Sequence, residues 1–212
     1  MNDLNDLNSL DDLNDLNLLL HHVKDSEVLV LLQTKGVLTR PWVILELYTA
    51  ITNQVPVVAL NVMNAFAYDY GDAQELLTFL DEDLDRMNQG AADLLRKHGV
   101  DLVDVAFRLA DALPAIISTE FNPNGSTRQI EAALGDLADQ IRQALPIAPP
   151  TVTKEDWLEE RQVTKAKRKY SPHGRGRGKG ANSAAEQILA EVPDTVPELP
   201  GALLVRAELI AQ

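Results

Sequence analysis

The sequence predicts an α/β fold with a parallel sheet, and three observations support this. Residues 27–32 and 55–62 are short, almost continuously apolar runs, typical of strands buried on both faces. The residues between them have the composition of one helix. A strand, a helix and a strand at this spacing form a βαβ unit. We therefore expect residues 28–32 and 57–60 to be parallel neighbours in one sheet.

The helix between these strands is predicted to begin near Thr39 and to end near Thr52. A threonine hydroxyl can cap the first turn of a helix. Pro41 is tolerated in that turn because its missing N–H would have no helical partner there. Pro56 stands near the start of the second strand, where a proline does least harm.

Downstream of the second strand, the sequence predicts several helices and a third strand. Asp72 and Glu75 form a capping signal for an amphipathic helix that continues through Leu84. Ser126 and Gln129 form a capping box for the last helix of this region. The remaining elements are helices over residues 91–98 and 102–113, closed by Gly99 and Pro114, and a strand over residues 115–121.

Composition divides the chain into four segments. Residues 1–24 are a low-complexity leader that repeats Asn-Asp-Leu, and residues 25–145 form the globular domain. Residues 146–183 are rich in proline, then charge, then glycine, and we predict a disordered basic linker there. Residues 184–212 are expected to hold a short helix followed by a proline-punctuated stretch.

The formal charge of −13 is unevenly distributed. Residues 161–179 contain eight of the 19 basic residues and no acidic one, and the other 11 basic and 32 acidic residues give the rest a charge of −21. An acidic body does not fit a nucleic-acid-binding domain, which needs its positive charge on a folded face. Nucleic-acid binding by the basic segment alone stays open as the least favoured of three functions.

Cysteine content and hydropathy predict the compartment. The chain has no cysteine, which excludes disulfides and thiolate metal sites. No apolar stretch approaches the roughly 20 residues of a membrane helix, and the acidic, asparagine-rich N-terminus is unlike a secretory signal. These features predict a cytoplasmic protein that does not contact membranes.

Two stretches resemble the TIR domain family. An Asp25-Ser26 pair precedes the first apolar strand, and Trp42, Glu46 and Leu47 follow in the register of that family's Trp-x-x-x-Glu-Leu box. Residues 55–58 are similar to its next strand. The resemblance covers about 38 residues of the second half of the domain and implies a partial flavodoxin-like sheet with extra helices. Because the family's first strands have no counterpart before Asp25, one edge of the sheet is expected to lack a partner.

The C-terminal segment carries a second resemblance. Residues 196–200 and 205–209 are similar to the sequence that precedes nucleotide-binding domains of the NB-ARC and related STAND ATPases. A Walker motif is missing: His173 stands where its first glycine is required, and Gly180 where serine or threonine is required. The two resemblances together imply a TIR-plus-ATPase architecture that is truncated at both ends.

The TIR resemblance implies two functions. The favoured one is a signalling module that assembles with other TIR domains or with itself and needs no cofactor. The alternative is an NAD+ glycohydrolase in which Glu46 is the catalytic residue and the Trp42 ring lines the NAD+ pocket. A carboxylate can stabilise the oxocarbenium-like transition state of nicotinamide release. The simpler interpretation is that Glu46 lies near the positive end of a helix dipole and Trp42 packs in the core.

No metal site is predicted. The histidines at positions 21, 22, 98 and 173 do not have the spacing of metal ligands. The carboxylates at positions 81, 82, 83 and 85 lack the glycine of a calcium loop and are expected to form a solvated helix face.

Overall fold

The computed structural model describes residues 17–63, 67–170 and 202–205. The chain divides into two compact units, residues 1–151 with 201–212, and residues 152–200. The described elements of the first unit are α1 (residues 17–24), β1 (Val28–Gln33), α2 (Pro41–Thr52), β2 (Val57–Val62), α3 (Tyr70–Thr78), α4 (Leu80–Met87), α5 (Ala91–Lys97), α6 (Leu102–Ala112), β3 (Ser118–Phe121), α7 (Thr127–Gln143) and β4 (Ala202–Val205). In the second unit the structure describes α8 (Lys154–Tyr170).

The four strands form one sheet in the order β3-β2-β1-β4. Strands β1, β2 and β3 are parallel, with Leu31 opposite Ala59 in β2 and Ala59 opposite Ser118 in β3. The α/β fold with a parallel sheet is therefore confirmed, as is the pairing of residues 28–32 with residues 57–60. Helix α2 is the connection between these two strands, as the βαβ pattern predicts.

Both faces of the sheet are buried, and α7 covers one of them. On one face Val28, Val30 and Val58 form a buried cluster, against which Leu137 and Ile141 of α7 pack. On the other face Leu29 and Leu31 are fully buried. This alternation explains the continuous apolar run in the sequence, because both faces of β1 lie inside the protein.

Helix α2 begins one residue later than a cap at Thr39 would predict. Thr39 is not its cap: it ends a 3-10 turn, Val37–Thr39, and its hydroxyl donates a 2.8 Å hydrogen bond to the Gly36 carbonyl. Gly36 has a φ of 72°, a conformation that favours glycine. The N-cap of α2 is Arg40, without a side-chain hydrogen bond, and Pro41 occupies the first helical position as expected.

The predicted helix from Asp72 to Leu84 is two helices. The cap of α3 is Asp69, whose side chain accepts a hydrogen bond from the Asp72 amide, so the Asp72–Glu75 signal did not mark the start. The break falls at Phe79, which is 2% exposed and has non-helical backbone angles. A turn at this position lets both helices contact α6.

The elements that follow agree closely with the sequence. Gly99 closes α5 with a φ of 72°, and the Ser126–Gln129 capping box of α7 is present with both hydrogen bonds. Strand β3 is shorter than predicted because Leu113–Ala115 forms a 3-10 turn around Pro114.

The expectation of an unpaired sheet edge at β1 is wrong. Strand β4, at residues 202–205, pairs antiparallel with β1, with Val28 opposite Val205 and Val30 opposite Leu203. A segment expected to be proline-punctuated therefore contributes a strand to the sheet. The stretch Ala202-Leu203-Leu204-Val205 is apolar, as such a strand requires. Four residues are too few to predict which strand they pair with.

The prediction that residues 146–183 are disordered is wrong for α8. Thr153 accepts a hydrogen bond from the Asp156 amide at 3.1 Å, which caps the start of the helix. Glu155 and Asp156 lie in the first turn, and the basic residues lie towards the C-terminal end, as the helix dipole favours. Composition suggested disorder, but residues 154–170 contain neither glycine nor proline. Residues 1–16, 171–201 and 206–212 lie outside the described residues, and so do the predictions made for them.

Candidate functional site

Helix α2 places Trp42 and Glu46 one turn apart on the same side of the helix. The two side chains differ in exposure: 38% of Trp42 is accessible to solvent, but only 5% of Glu46. The aromatic ring is therefore available for contact at the surface, and the carboxyl group beside it is almost enclosed.

Burial changes the acid–base behaviour of Glu46. Its neighbours along α2, Leu45 and Leu47, are also buried. Loss of hydration disfavours the carboxylate form and raises the pKa of Glu46 to about 7. The carboxyl group therefore takes up and releases a proton near neutral pH, a property typical of functional sites and also of carboxyl groups that are simply buried.

Trp42 packs against His98 at the C-terminal end of α5. The two ring centroids are 5.6 Å apart, with an interplanar angle of 49°. This distance lies within the range of favourable aromatic contacts. The interpretation of Trp42 as core packing therefore needs correction, because this ring packs on its neighbour and still reaches the surface.

A hydrogen-bonded network joins α2, at Tyr48, to α6. The Tyr48 hydroxyl donates to Asp104 Oδ2 at 2.7 Å, and Arg108 Nε donates to the same oxygen at 2.8 Å. Burial raises the pKa of Tyr48, and the hydrogen bond to Asp104 raises it further. The hydrogen bond to Asp104 also raises the pKa of Arg108. The network holds α2, and with it Glu46, in a defined orientation.

A polar cluster lies around Gln33 at the carboxyl end of β1, and the sequence did not predict it. Gln33, at the end of β1, is 3% exposed. Its Oε1 accepts hydrogen bonds from the Tyr70 hydroxyl at 3.1 Å and from the Ser118 hydroxyl at 2.7 Å. The available signal was a single glutamine that ends the apolar run of β1. In open α/β sheets, ligands bind at the carboxyl ends of the strands.

Asn61 lies beside Gln33 in the sheet register and is also buried. Its Oδ1 has no hydrogen-bond partner in the part of the chain that the structure describes. An unsatisfied buried acceptor costs roughly 1–3 kcal/mol, so the position favours a donor group. Nearby, Tyr68 packs edge-on against Tyr70 at 4.9 Å, and burial raises the pKa of Tyr68 to about 12.

Comparison with known proteins gives no assignment. The sequence matches no protein-family model, and no curated protein or solved structure shows a significant match to the chain. The roles that the TIR resemblance implies for Trp42 and Glu46 therefore stay predictions, and so does the resemblance of the C-terminal segment to ATPases.

Residues 17–63, 67–170 and 202–205 contain neither a metal site nor a membrane span. No group of three acidic or histidine side chains there could hold a metal ion. In the same residues, no helix combines the length and the apolar character needed to cross a membrane. The acidic run on α4 is not wholly solvated as predicted, because Asp83 is 7% exposed and pairs with Arg86, and Asp85 accepts a 2.9 Å hydrogen bond from the Ala92 amide.

Proposed function

We propose that this chain is a TIR-type interaction module of flavodoxin-like design that acts in intracellular signalling by homotypic assembly. The observation that supports this most directly is the contrast on α2. Trp42 is exposed at the surface of a well-fixed helix, but the carboxyl group of Glu46 is enclosed. A surface of this kind suits contact with another protein better than it suits turnover of a small substrate.

The arrangement of β1, α2 and β2 adds to the support. The two strands are parallel neighbours, and the residues that resemble the Trp-x-x-x-Glu-Leu box lie in the first turns of the helix between them. Exposed apolar side chains also occur close to the carboxyl end of the sheet, at Met63 and Tyr70. Large exposed apolar side chains of this kind mark interaction sites when they cluster.

The proposal predicts self-association that depends on Trp42. In sedimentation velocity, the average mass of the full chain should rise with protein concentration, and Trp42→Ser should shift this rise to higher concentration because the exposed ring is removed from the interface. Met87→Ser is a matched control, since Met87 is an exposed apolar side chain on α4. A chain that stays monomeric at all concentrations, or equal effects of the two variants, would contradict the proposal.

The second candidate is an NAD+ glycohydrolase, and the acid–base property of Glu46 favours it. A carboxyl group with a pKa near 7 lies one turn from an exposed aromatic ring that could stack on a nicotinamide or adenine base. NAD+ is the substrate in this proposal, with Glu46 as catalytic residue and Trp42 lining the pocket. Opening of the surroundings of Glu46 would be required, because its carboxyl group is almost inaccessible.

Nicotinamide release tests this candidate. Purified full chain incubated with NAD+ should release nicotinamide, with a rate that rises between pH 6 and 8 as the Glu46 carboxylate forms around its pKa of about 7. Glu46→Gln should abolish release and Glu131→Gln, an exposed change on α7, should not. If the wild-type chain releases no nicotinamide, or the Glu46→Gln variant retains its rate, the enzymatic function is excluded.

A further inference from the structure

The edge of the sheet formed by β3 has no strand partner among the residues that the structure describes. The Phe121 carbonyl accepts a 2.7 Å hydrogen bond from the Met63 amide, so the peptide groups of Phe121 and Thr119 point towards β2. Backbone groups alternate sides along a strand, so those of Ser118 and Glu120 point outward. An edge of this kind is a template for pairing with another extended chain.

A groove runs between this edge and helix α7. It has a volume of about 660 Å³, and Ser118, Thr119 and Glu120 line its strand side. Asp136, Asp139 and Gln140 line the helix side. The carboxyl groups of Asp136 and Asp139 therefore border the groove, and of these two only Asp139 has a basic neighbour, Arg142 at 2.5 Å, among the ion pairs of the described residues. The Glu120 side chain lies on the other face of the sheet, because Glu120 is in register with Asn61 and Gln33. The groove is suited to a positively charged occupant.

Two buried polar atoms in the groove lack partners. Thr119 is 7% exposed, and its Oγ1 makes no hydrogen bond within the described residues. The same holds for Oε1 of Gln140, across the groove on α7. Buried polar atoms are normally hydrogen-bonded, so these two atoms favour an occupant that brings donors of its own.

One segment of the sequence has the matching chemistry. In residues 174–180, Arg175, Arg177 and Lys179 alternate with glycines. Side chains alternate sides in an extended chain, so all three cations would project from one face. The glycines on the other face would let the backbone approach the strand edge closely, because they have no Cβ.

We propose that the groove between β3 and α7 binds residues 174–180 of a second copy of this chain, which add to the sheet as an extended strand. Backbone hydrogen bonds to Ser118 and Glu120 would supply the pairing, as in other cases of strand addition. The three cations would face Asp136 and Asp139 on α7 and would set the preference for a basic segment. The inference does not rest on the TIR proposal or on Trp42, and either can fail without the other.

The test uses a labelled peptide of residues 172–181 and the full-length chain carrying Arg175→Ser, Arg177→Ser and Lys179→Ser, so that its own segment does not compete. Fluorescence anisotropy should show saturable binding that weakens with added salt. Binding should also slow hydrogen exchange of the Ser118 and Glu120 amides, which a purely electrostatic contact would not do. A peptide of the same composition with its three cations adjacent should bind more weakly.

Variants of the groove separate charge from strand pairing. Asp136→Asn should weaken binding about two- to fivefold, as expected for one exposed charge pair. Glu120→Pro should weaken it further because the outward amide is lost but pairing with β2 is kept. Glu131→Gln lies on α7 outside the groove lining and should change nothing. Circular dichroism would verify that each variant is folded, and the Asp136→Asn result does not depend on strand β3.

Self-association experiments distinguish strand addition in the groove from assembly through Trp42. The wild-type chain should show a salt-sensitive component of self-association that is lost in the triple Arg175, Arg177 and Lys179 variant and retained in Trp42→Ser. Absence of saturable binding, equal binding of the peptide with adjacent cations, or peptide binding without self-association of the wild-type chain would each overturn the proposal. Loss of the Trp42 effect alone would count against the TIR-type module and leave this groove unaffected.

Discussion

Replacing Glu46 by glutamine is expected to stabilise the protein at pH 8 and to have little effect near pH 4. Glu46 is 5% exposed, and burial raises the pKa of its carboxyl group from 4.5 to about 7. A rise of this size corresponds to roughly 3 kcal/mol when the group is ionised, and glutamine removes this cost because it stays neutral. The gain is an upper value, since a buried amide also loses hydration.

The direction of the pH effect follows from proton binding. Between pH 4.5 and about 7 the folded chain holds the Glu46 proton more often than the unfolded chain does, so the free energy of unfolding falls as the pH rises. Below pH 4.5 both states are protonated and the contribution is constant. Well above pH 7 Glu46 is ionised in both the folded and the unfolded state, and the free energy of unfolding falls no further.

Urea unfolding of wild type and Glu46→Gln between pH 4 and 8 measures this effect directly. The difference in the free energy of unfolding should grow from near zero to as much as roughly 3 kcal/mol over that range. Glu131→Gln, an exposed change on α7, should stay within about 0.5 kcal/mol of wild type throughout. Parallel pH curves for wild type and Glu46→Gln would show that Glu46 is hydrated in the folded protein.

Leu47→Ala is expected to destabilise the protein by about 2–5 kcal/mol. Leu47 is completely buried on α2, next to Glu46. Removal of its side chain loses apolar contacts and leaves a cavity between elements that are already densely packed. Because α2 connects β1 and β2, the loss acts on the unit that positions the candidate site.

Thermal and urea unfolding report this loss, and Leu134→Ala on α7 provides the comparison. Leu134 is 47% exposed, so the same chemical change there should cost no more than about 1 kcal/mol. Similar losses for the two variants would mean that α2 is not held in the core as described.

Local patterns in the sequence were sufficient to predict the unit formed by β1, α2 and β2. Strands β1 and β2 are buried on both faces, and such strands leave a continuous apolar run that is easily recognised. The Ser126–Gln129 capping box was equally recognisable, because both partners lie within one turn. The exposure of Trp42 and the enclosure of Glu46 could not be predicted, since each depends on α5 and α6, which follow much later in the sequence.

The features that were missed depend on distant contacts or on competing local signals. Gln33 contacts Tyr70 and Ser118 only after the strands and helices have packed. A single glutamine at a strand end therefore did not indicate these hydrogen bonds. Asp69 and Asp72 are both good caps, and the choice between them is made by how α3 packs. The charge of residues 154–170 suggested a disordered linker, although the order of acidic and basic residues favours a helix.

The pairing of Val28 with Val205 joins two stretches that are very far apart in the sequence. Contacts of such high sequence separation slow folding, because a large loop must close before they form. During synthesis, β1 leaves the ribosome long before β4 has been made. The backbone N–H and C=O groups on the edge of β1 that pairs with β4 therefore have no strand partner during this interval. Until β4 has been made, the unpaired edge of β1 can bind other chains, and pairing with β4 removes this aggregation hazard.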